Sequence, residues 1–399
     1  MTVDSNSRLA RDFRMELTPT TERVIAALVE AGFDPLIVGG SVRDQLLGFD
    51  SKDVDIEVFE APSFKAVERA LRSVGRINRA GQSFGVLKLI VNTEDFDVSL
   101  PRRDSKVGEG HGGFEVEVDP TMSYREAAGR RDFTINALMY SPVRGELVDE
   151  YGGLADLESR VLRHTTEAFS EDPLRVLRGV QMAGRFGFEL ASETIELARE
   201  LAPRFTELAS ERVVGEFDKL MRKASKPSLS LASLRTTKWD ENLGELAGVN
   251  DEELGLALDR ATASENKTLT MAAVIASRLL ERDIDPRPTL KLLVSGKRVI
   301  AESLALASLP GVGESNFDAR LWAFEAAPLT SRARSRVLEA LNGDDEGLLS
   351  RMEQLGLADG PEPDELDGRG LMARFPERKP GPWMKEELDR ARLAQYARD

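Results

Sequence analysis

Apolar positions along this chain keep two rhythms. Over roughly the first hundred residues they come in short runs and alternations, the spacing of strands, broken by a few helical patches. From residue 191 they recur every three or four residues almost to the end, the spacing of helices. The pattern predicts an α+β first part built around one sheet, then a helical remainder.

The strand rhythm is densest at 36–58, LIVGGSVRDQLLGFDSKDVDIEV. Leu36-Ile37-Val38 reads as a strand that ends in Gly39-Gly40, and a helical pattern over 41–47 stops at Gly48. A second strand then carries Asp53 and Asp55. Residues two apart on a strand point the same way, so these two carboxylates project together. Two hard oxygen ligands on a rigid strand suit Mg²⁺ when substrate phosphates complete its shell.

Around this stretch the expected elements are a helix over 19–31, capped by Thr20 or Thr21, and a helix over 64–74 starting at Ser63. Strands follow at 85–92 and 96–100, with Glu94-Asp95 as their turn. Asp97, on the second strand, is either a third carboxylate of a two-metal arrangement or a surface charge in a hairpin. Residues 101–119 are Gly-rich and charged and read as a mobile loop whose Arg102, Arg103 and Lys106 can touch phosphate. Thr121, Ser123 and Glu126 start a helix that breaks at Gly129. Arg130-Arg131-Asp132 then opens a second helix over 133–139, which puts Arg131 where an anion meets unpaired N–H groups; a surface pair with Asp132 is the other reading. Asn136, one turn on, can hold Asp132 in place.

In SEDPLRVLRGVQMAGRFGFEL, 170–190, Pro173 suits a first helical turn and Ser170 or Asp172 a cap. Asp172, Arg175, Arg178, Gln181 and Arg185 fall on one stripe, with Leu174, Val176, Leu177 and Val180 mainly opposite. Such a stripe is either a solvated row of charges or the wall of a nucleotide pocket. In the second case an Asp and an Arg together imitate a complementary base edge, and Arg178 reaches phosphate.

Composition narrows the choices. With no cysteine, the 399 residues hold no disulfide, thiolate metal site or cysteine nucleophile. Only His111 and His164 are present, and neither precedes Asp, which argues against an HD-type phosphohydrolase centre. No apolar run reaches membrane-spanning length and no secretory leader is read, so a cytoplasmic protein without a membrane partner is expected. The net charge of −15 argues against nucleic acid as a sum over the chain. A binding groove is local, however, and residues 201–240 carry eight Lys/Arg against five Asp/Glu.

The motifs GGSVRD, DVD, GQSFGVLK, RRDFTINAL, EDPLRVLR, GRFGF, SERVVGEFDKLM and a terminal LM…KPGPWM occur in one order. Together they resemble class II tRNA nucleotidyltransferases, the CCA-adding enzymes of the polymerase-β-like superfamily, densely over 33–225 and again at 366–390. The resemblance implies a nucleotidyltransferase head with a mixed or antiparallel sheet near 18–145, a neck near 146–225, a helical body near 226–330 and a tRNA-binding tail near 331–399. It implies that Asp53 and Asp55 bind Mg²⁺ and, with Asp97, carry catalysis. Gly40 and Arg43 would hold the triphosphate and Arg131 the nucleotide. Asp172 and Arg175, braced by Glu171, would select CTP or ATP, with Arg178 on phosphate or base. The expected reaction is template-independent addition of CCA to tRNA 3′ ends with release of pyrophosphate. Poly(A) polymerase, a partial CC- or A-adding enzyme, a small-molecule nucleotidyltransferase and a non-catalytic RNA-binding protein on the same fold are the rivals. Many family members carry Arg one turn beyond Arg178, where this chain has Gln181.

Overall fold

The computed structural model describes residues 9, 13–49, 54–78, 85–106, 114–249, 251–309, 315–327, 329–345 and 347–398. Side chains of 103–106, 114–117 and 317 are not described. The chain parts into two compact units. One comprises Met1–Ala183, Gly187–Val213 and Thr236–Trp239; the other comprises Gly184–Phe186, Val214–Arg235 and Asp240–Asp399.

The first unit is built on a seven-stranded mixed sheet in the order β3-β4-β5-β2-β1-β8-β9. Its strands are β1 (Asp34–Val38), β2 (Val54–Phe59), β3 (Arg76–Asn78), β4 (Val86–Val91), β5 (Glu94–Ser99), β8 (Met139–Ser141) and β9 (Glu146–Val148). β2 and β5 run parallel, which places Asp55 beside Asp97 and Glu57 beside Ser99. On the opposite face Ile56, Val58, Leu87, Leu89, Phe96 and Val98 are buried against α1 (Pro19–Glu30) and α3 (Phe64–Leu71). Strand side chains alternate, so burying these positions commits Asp55, Glu57 and Phe59 to the other face.

Along that face β2 runs from the open site into a second core. Asp55 is half-buried, Glu57 fully buried, and Phe59 joins Leu36, Val38, Met122, Ala127, Ala128, Ala137 and Met139. This second core lies under α4 (Tyr124–Gly129), whose start is locked by a Ser123/Glu126 capping box.

Several expectations are corrected. Thr18, not Thr20 or Thr21, caps α1, because Pro19 occupies the first helical position and Thr18 accepts from the Thr21 N–H. The β4–β5 turn is Asn92-Thr93 rather than Glu94-Asp95: Val91 pairs with Glu94, and Asn92 takes the positive φ that Asn tolerates. Arg102–Lys106 (β6) and Phe114–Val118 (β7) form an antiparallel ribbon where a loop was expected; residues 107–113 lie outside the described residues. No α-helix forms over 133–139. One 3-10 turn, Thr134–Asn136, is followed by β8, which pairs with β1.

After β9 come α5 (Gly153–Ser159), then β10 (Val161–Leu162), which pairs with β11 (Glu189–Leu190), then α6 (Leu174–Phe186), α7 (Ser192–Leu201) and α8 (Ser210–Lys223). Leu174, Val176, Leu177 and Val180 of α6 are buried, as their spacing predicts. The second unit is helical throughout its described elements. Its Lys267–Leu280 helix is buried on nearly every side and packs on the helices Glu252–Ala261, Lys297–Ser308 and Ser331–Asn342. The chain breaks between the Arg287–Leu293 and Lys297–Ser308 helices, with Gly296 capping the second.

Candidate active site

The polar face of the sheet carries a row of charges across three neighbouring strands. Asp55 of β2 lies beside Asp97 of β5, and Asp97 lies opposite Lys88 of β4. Lys88 Nζ donates to Asp97 Oδ1 at 2.7 Å. That bond holds the Lys88 ammonium above its usual range, and the charges of Asp97, Asp95 and Asp55 add to the effect. A cation thus already sits against these carboxylates. The hard oxygens of Asp55 and Asp97 are donors that fit Mg²⁺. Asp53, the other expected ligand, lies outside the described residues.

Next to this row the chain leaves β1 through Gly39, at φ 74° and ψ −129°. Its N–H donates to the Leu138 carbonyl, and its own carbonyl accepts from the Arg43 N–H. A Cβ at Gly39 would lie 2.8 Å from Arg131 Nη1. Two separate demands therefore call for glycine, the backbone angle and the approach of a guanidinium. Gly39→Ala is expected to lower stability by about 1–3 kcal/mol and to push Arg131 aside. Denaturant unfolding measures the first effect, and an unchanged midpoint would contradict it.

Gly40 opens α2 (Gly40–Leu46), with Arg43 one turn on. Arg43 is buried: Nε and Nη2 donate to Asp44 Oδ1 at 2.9 and 2.6 Å, and Nη1 donates to Asn136 Oδ1. Asn136 Nδ2 in turn donates to Asp132 Oδ1 at 2.8 Å, so the expected Asn136–Asp132 link is present. Asp132 also accepts from the Phe133 N–H and, at 2.7 Å, from Arg178 Nε. Burial alone would raise the Asp132 carboxyl, but Arg178, Asn136 and the Phe133 N–H outweigh it and hold it below the usual range.

Without an α-helix over 133–139, Arg131 does not stand at a helix N-terminus. It is placed by Glu57, which is fully buried and takes Arg130 on Oε1 and Arg131, at 3.1 Å, on Oε2. Arg175 Nη2 donates to the Arg130 carbonyl at 2.8 Å and Nη1 to the Ala168 carbonyl at 2.7 Å. Asp172 is clasped by both terminal nitrogens of Arg212, at 3.2 and 2.7 Å, and accepts from the Leu174 N–H. Gln181 is buried, and its Nε2 has no hydrogen-bond partner among the described residues.

The structure thus brings Asp55 to Asp97, Arg43 through Asn136 and Asp132 to Arg178, and Arg131 through Glu57 and Arg130 to Arg175. Asp172 reaches the same unit through Arg212 of α8. Glu57 and Arg212 received no role from the sequence. Glu57 shares the strand face of Asp55, which period-two spacing alone reveals. Arg212 lies in the SERVVGEFDKLM motif, which marks the stretch without indicating its partner.

Residues 36–163 match the poly A polymerase head domain, and residues 187–241 match a family described as "Probable RNA and SrmB- binding site of polymerase A". The head-domain match takes in the Gly39-Gly40 turn, Asp55, Asp97 and Arg131. The matched head is the mixed sheet described above, with the polymerase-β-like nucleotidyltransferase fold. The chain is similar to the Multifunctional CCA protein of Xylella fastidiosa, 38% identical over 205 residues. That match takes in 50% of this chain and 47% of the relative, so the chain spans about half the length of the curated relatives it matches. Among solved structures, it resembles the Bacillus stearothermophilus CCA-adding enzyme in complex with CTP, with TM-score 0.72 and 25% identity over 95% of this chain and 93% of that one. It shares the fold of the Thermotoga maritima CCA-adding enzyme complexed with tRNA, with TM-score 0.69 and 19% identity over 96% of this chain and 93% of that one.

Proposed function

We propose that the protein adds CCA to tRNA 3′ ends from CTP and ATP. The observation that carries this reading is the register that sets Asp55 beside Asp97 on the open face of the head sheet, next to the Gly39-Gly40 turn. The names of the similar proteins, CCA protein and CCA-adding enzyme, support tRNA as the acceptor. Asp55 and Asp97, with Asp53, would hold Mg²⁺. A bound Mg²⁺ supplies charge neutralisation at the transferring phosphoryl group.

The protein's own work is positioning. Gly39-Gly40 lets the backbone and Arg131 come close to the triphosphate. Arg43, held by Asn136, and Arg178, held by Asp132, would flank it. Asp172 and Arg175, oriented at the start of α6 by Arg212 and two carbonyls, would offer acceptor and donor groups to the base edge. Asp97, beside Asp55, would accept the proton of the attacking 3′-hydroxyl. The proposal keeps a head near 18–145, a neck near 146–225, a body near 226–330 and a tRNA-binding tail near 331–399. It also places the protein in the cytoplasm; no helix among the described residues is long and apolar enough to cross a membrane.

Both matched families are named for poly(A) polymerase, which favours that activity as the second reading. One assay separates the two. tRNA transcripts ending before CCA, after C and after CC are incubated with Mg²⁺ and with CTP and ATP singly and together. Extension of each to CCA and no further is expected. Long A tails would favour the polymerase, and no extension in any lane would sink both.

A further inference from the structure

We propose that Glu57 is a positioning residue that presents Arg131 to the nucleotide triphosphate. The inference rests on reading this site as a nucleotidyl-transfer centre. Glu57 follows Asp55 by two residues on the same face of β2, and Phe59, two further on, is already in the second core. Glu57 therefore sits at the point where the strand passes from the open site into apolar packing. A carboxylate in such a place needs partners of opposite charge.

It has two. One oxygen takes Arg130 and the other takes Arg131, so a single buried anion holds two consecutive arginines side by side. Each contact is an ion pair within hydrogen-bond reach, so the buried carboxylate is matched by two opposite charges. Held this way, Arg131 brings Nη1 against Gly39, into the space a Cβ would fill. Its Nε is a buried donor with no hydrogen-bond partner among the described residues. Arg130, fixed by the same carboxylate, offers its carbonyl to Arg175. Glu57 thus ties the carboxylate strand to the glycine turn and to α6, although it lies beneath them. Without its charge, adjacent guanidiniums repel and have no common anchor. The donor beside Gly39 then moves away from the phosphates.

The test is Glu57→Gln, nearly isosteric but uncharged, assayed with CTP, ATP and a CC-lacking tRNA transcript. The nucleotide KM is expected to rise about tenfold, the worth of one hydrogen bond to a charged group. The tRNA KM stays unchanged and kcat falls less than the nucleotide KM rises. CTP affinity at equilibrium, measured calorimetrically without tRNA, falls by the same factor. Glu57→Asp, which keeps the charge but is one methylene shorter, should fall between wild type and Gln. If Glu57→Gln does not fold, a nucleotide KM above wild type in a Glu57→Asp protein with the wild-type melting temperature supports the proposal.

A folded variant with wild-type nucleotide KM overturns it. So does a lower nucleotide KM, the result if Glu57 merely competed with phosphate for the arginines. A parallel loss of kcat and of both substrates' affinities marks a general structural role and also overturns it. Failure of the wild-type protein to bind CTP or extend tRNA would overturn the underlying functional reading as well, an outcome distinct from an active wild type with an unaffected variant.

Discussion

Asp55→Ala is expected to lower nucleotidyl transfer about a thousandfold or more while leaving the fold intact. The size follows from what the carboxylate would do. A divalent cation at a transferring phosphoryl group is worth several kcal/mol of barrier, and each 1.4 kcal/mol is about tenfold in rate. The fold should hold because Asp55 is only half-buried, on the face of β2 opposite the core of Ile56 and Val58. Truncation there removes charge without opening a cavity, so the unfolding free energy should move by no more than about 0.5 kcal/mol. Single-turnover extension of a CC-lacking transcript, beside urea unfolding of the same preparation, measures both. Wild-type extension by a folded Asp55→Ala protein would remove the metal strand from the mechanism. Asp97→Ala is expected to lose rate as well, with Lys88 left unpaired at the surface.

The second large effect is on stability. Asp132→Ala is expected to cost about 2–4 kcal/mol, because it removes the acceptor shared by three donors: the Phe133 N–H, Asn136 Nδ2 and Arg178 Nε. The value sits toward the low end for a buried pair because Arg178 is 41% exposed and can turn to water. The pH dependence has a definite sign. The folded Asp132 and Glu57 carboxyls both lie below their ordinary values. Their contribution is therefore complete above the unfolded carboxylate range, roughly pH 4, and is lost as pH falls through the folded values. Urea unfolding from pH 7 down to pH 3 should show wild-type stability falling at the acid end, with a shallower fall in Asp132→Ala. Equal slopes would mean that Asp132 is not held ionised by its partners.

The elements read correctly from the sequence were those whose cause is local. Leu36-Ile37-Val38 followed by two glycines could only leave the sheet there, since Gly39 must adopt a positive φ. The helical character of the second unit was legible because its apolar residues recur at a period near 3.6. The β4–β5 turn also has a local cause: Asn92 tolerates the left-handed conformation, while Glu94 and Asp95 pair within the ladder.

Residues 133–139 failed for the opposite reason. Their spacing is helical, but Phe133 bridges His164 and Met139–Ser141 adds to the sheet beside β1. Non-local pairing overrode local propensity and took Arg131 away from any helix N-terminus.

By itself the sequence determined the strand faces, the glycine turn, the position of the carboxylates on one side of β2, and the ordered motifs that mark the family. These depend on alternation, on backbone sterics and on residue order, which travel with the chain. Only the tertiary structure decided which charge meets which. Glu57 finds Arg130 and Arg131 more than seventy residues away, Arg43 reaches Asp132 through Asn136, and Asp172 is held by Arg212 from α8. A side chain's partner depends on where the backbone returns in space, and a charge is buried or solvated only once that return is complete.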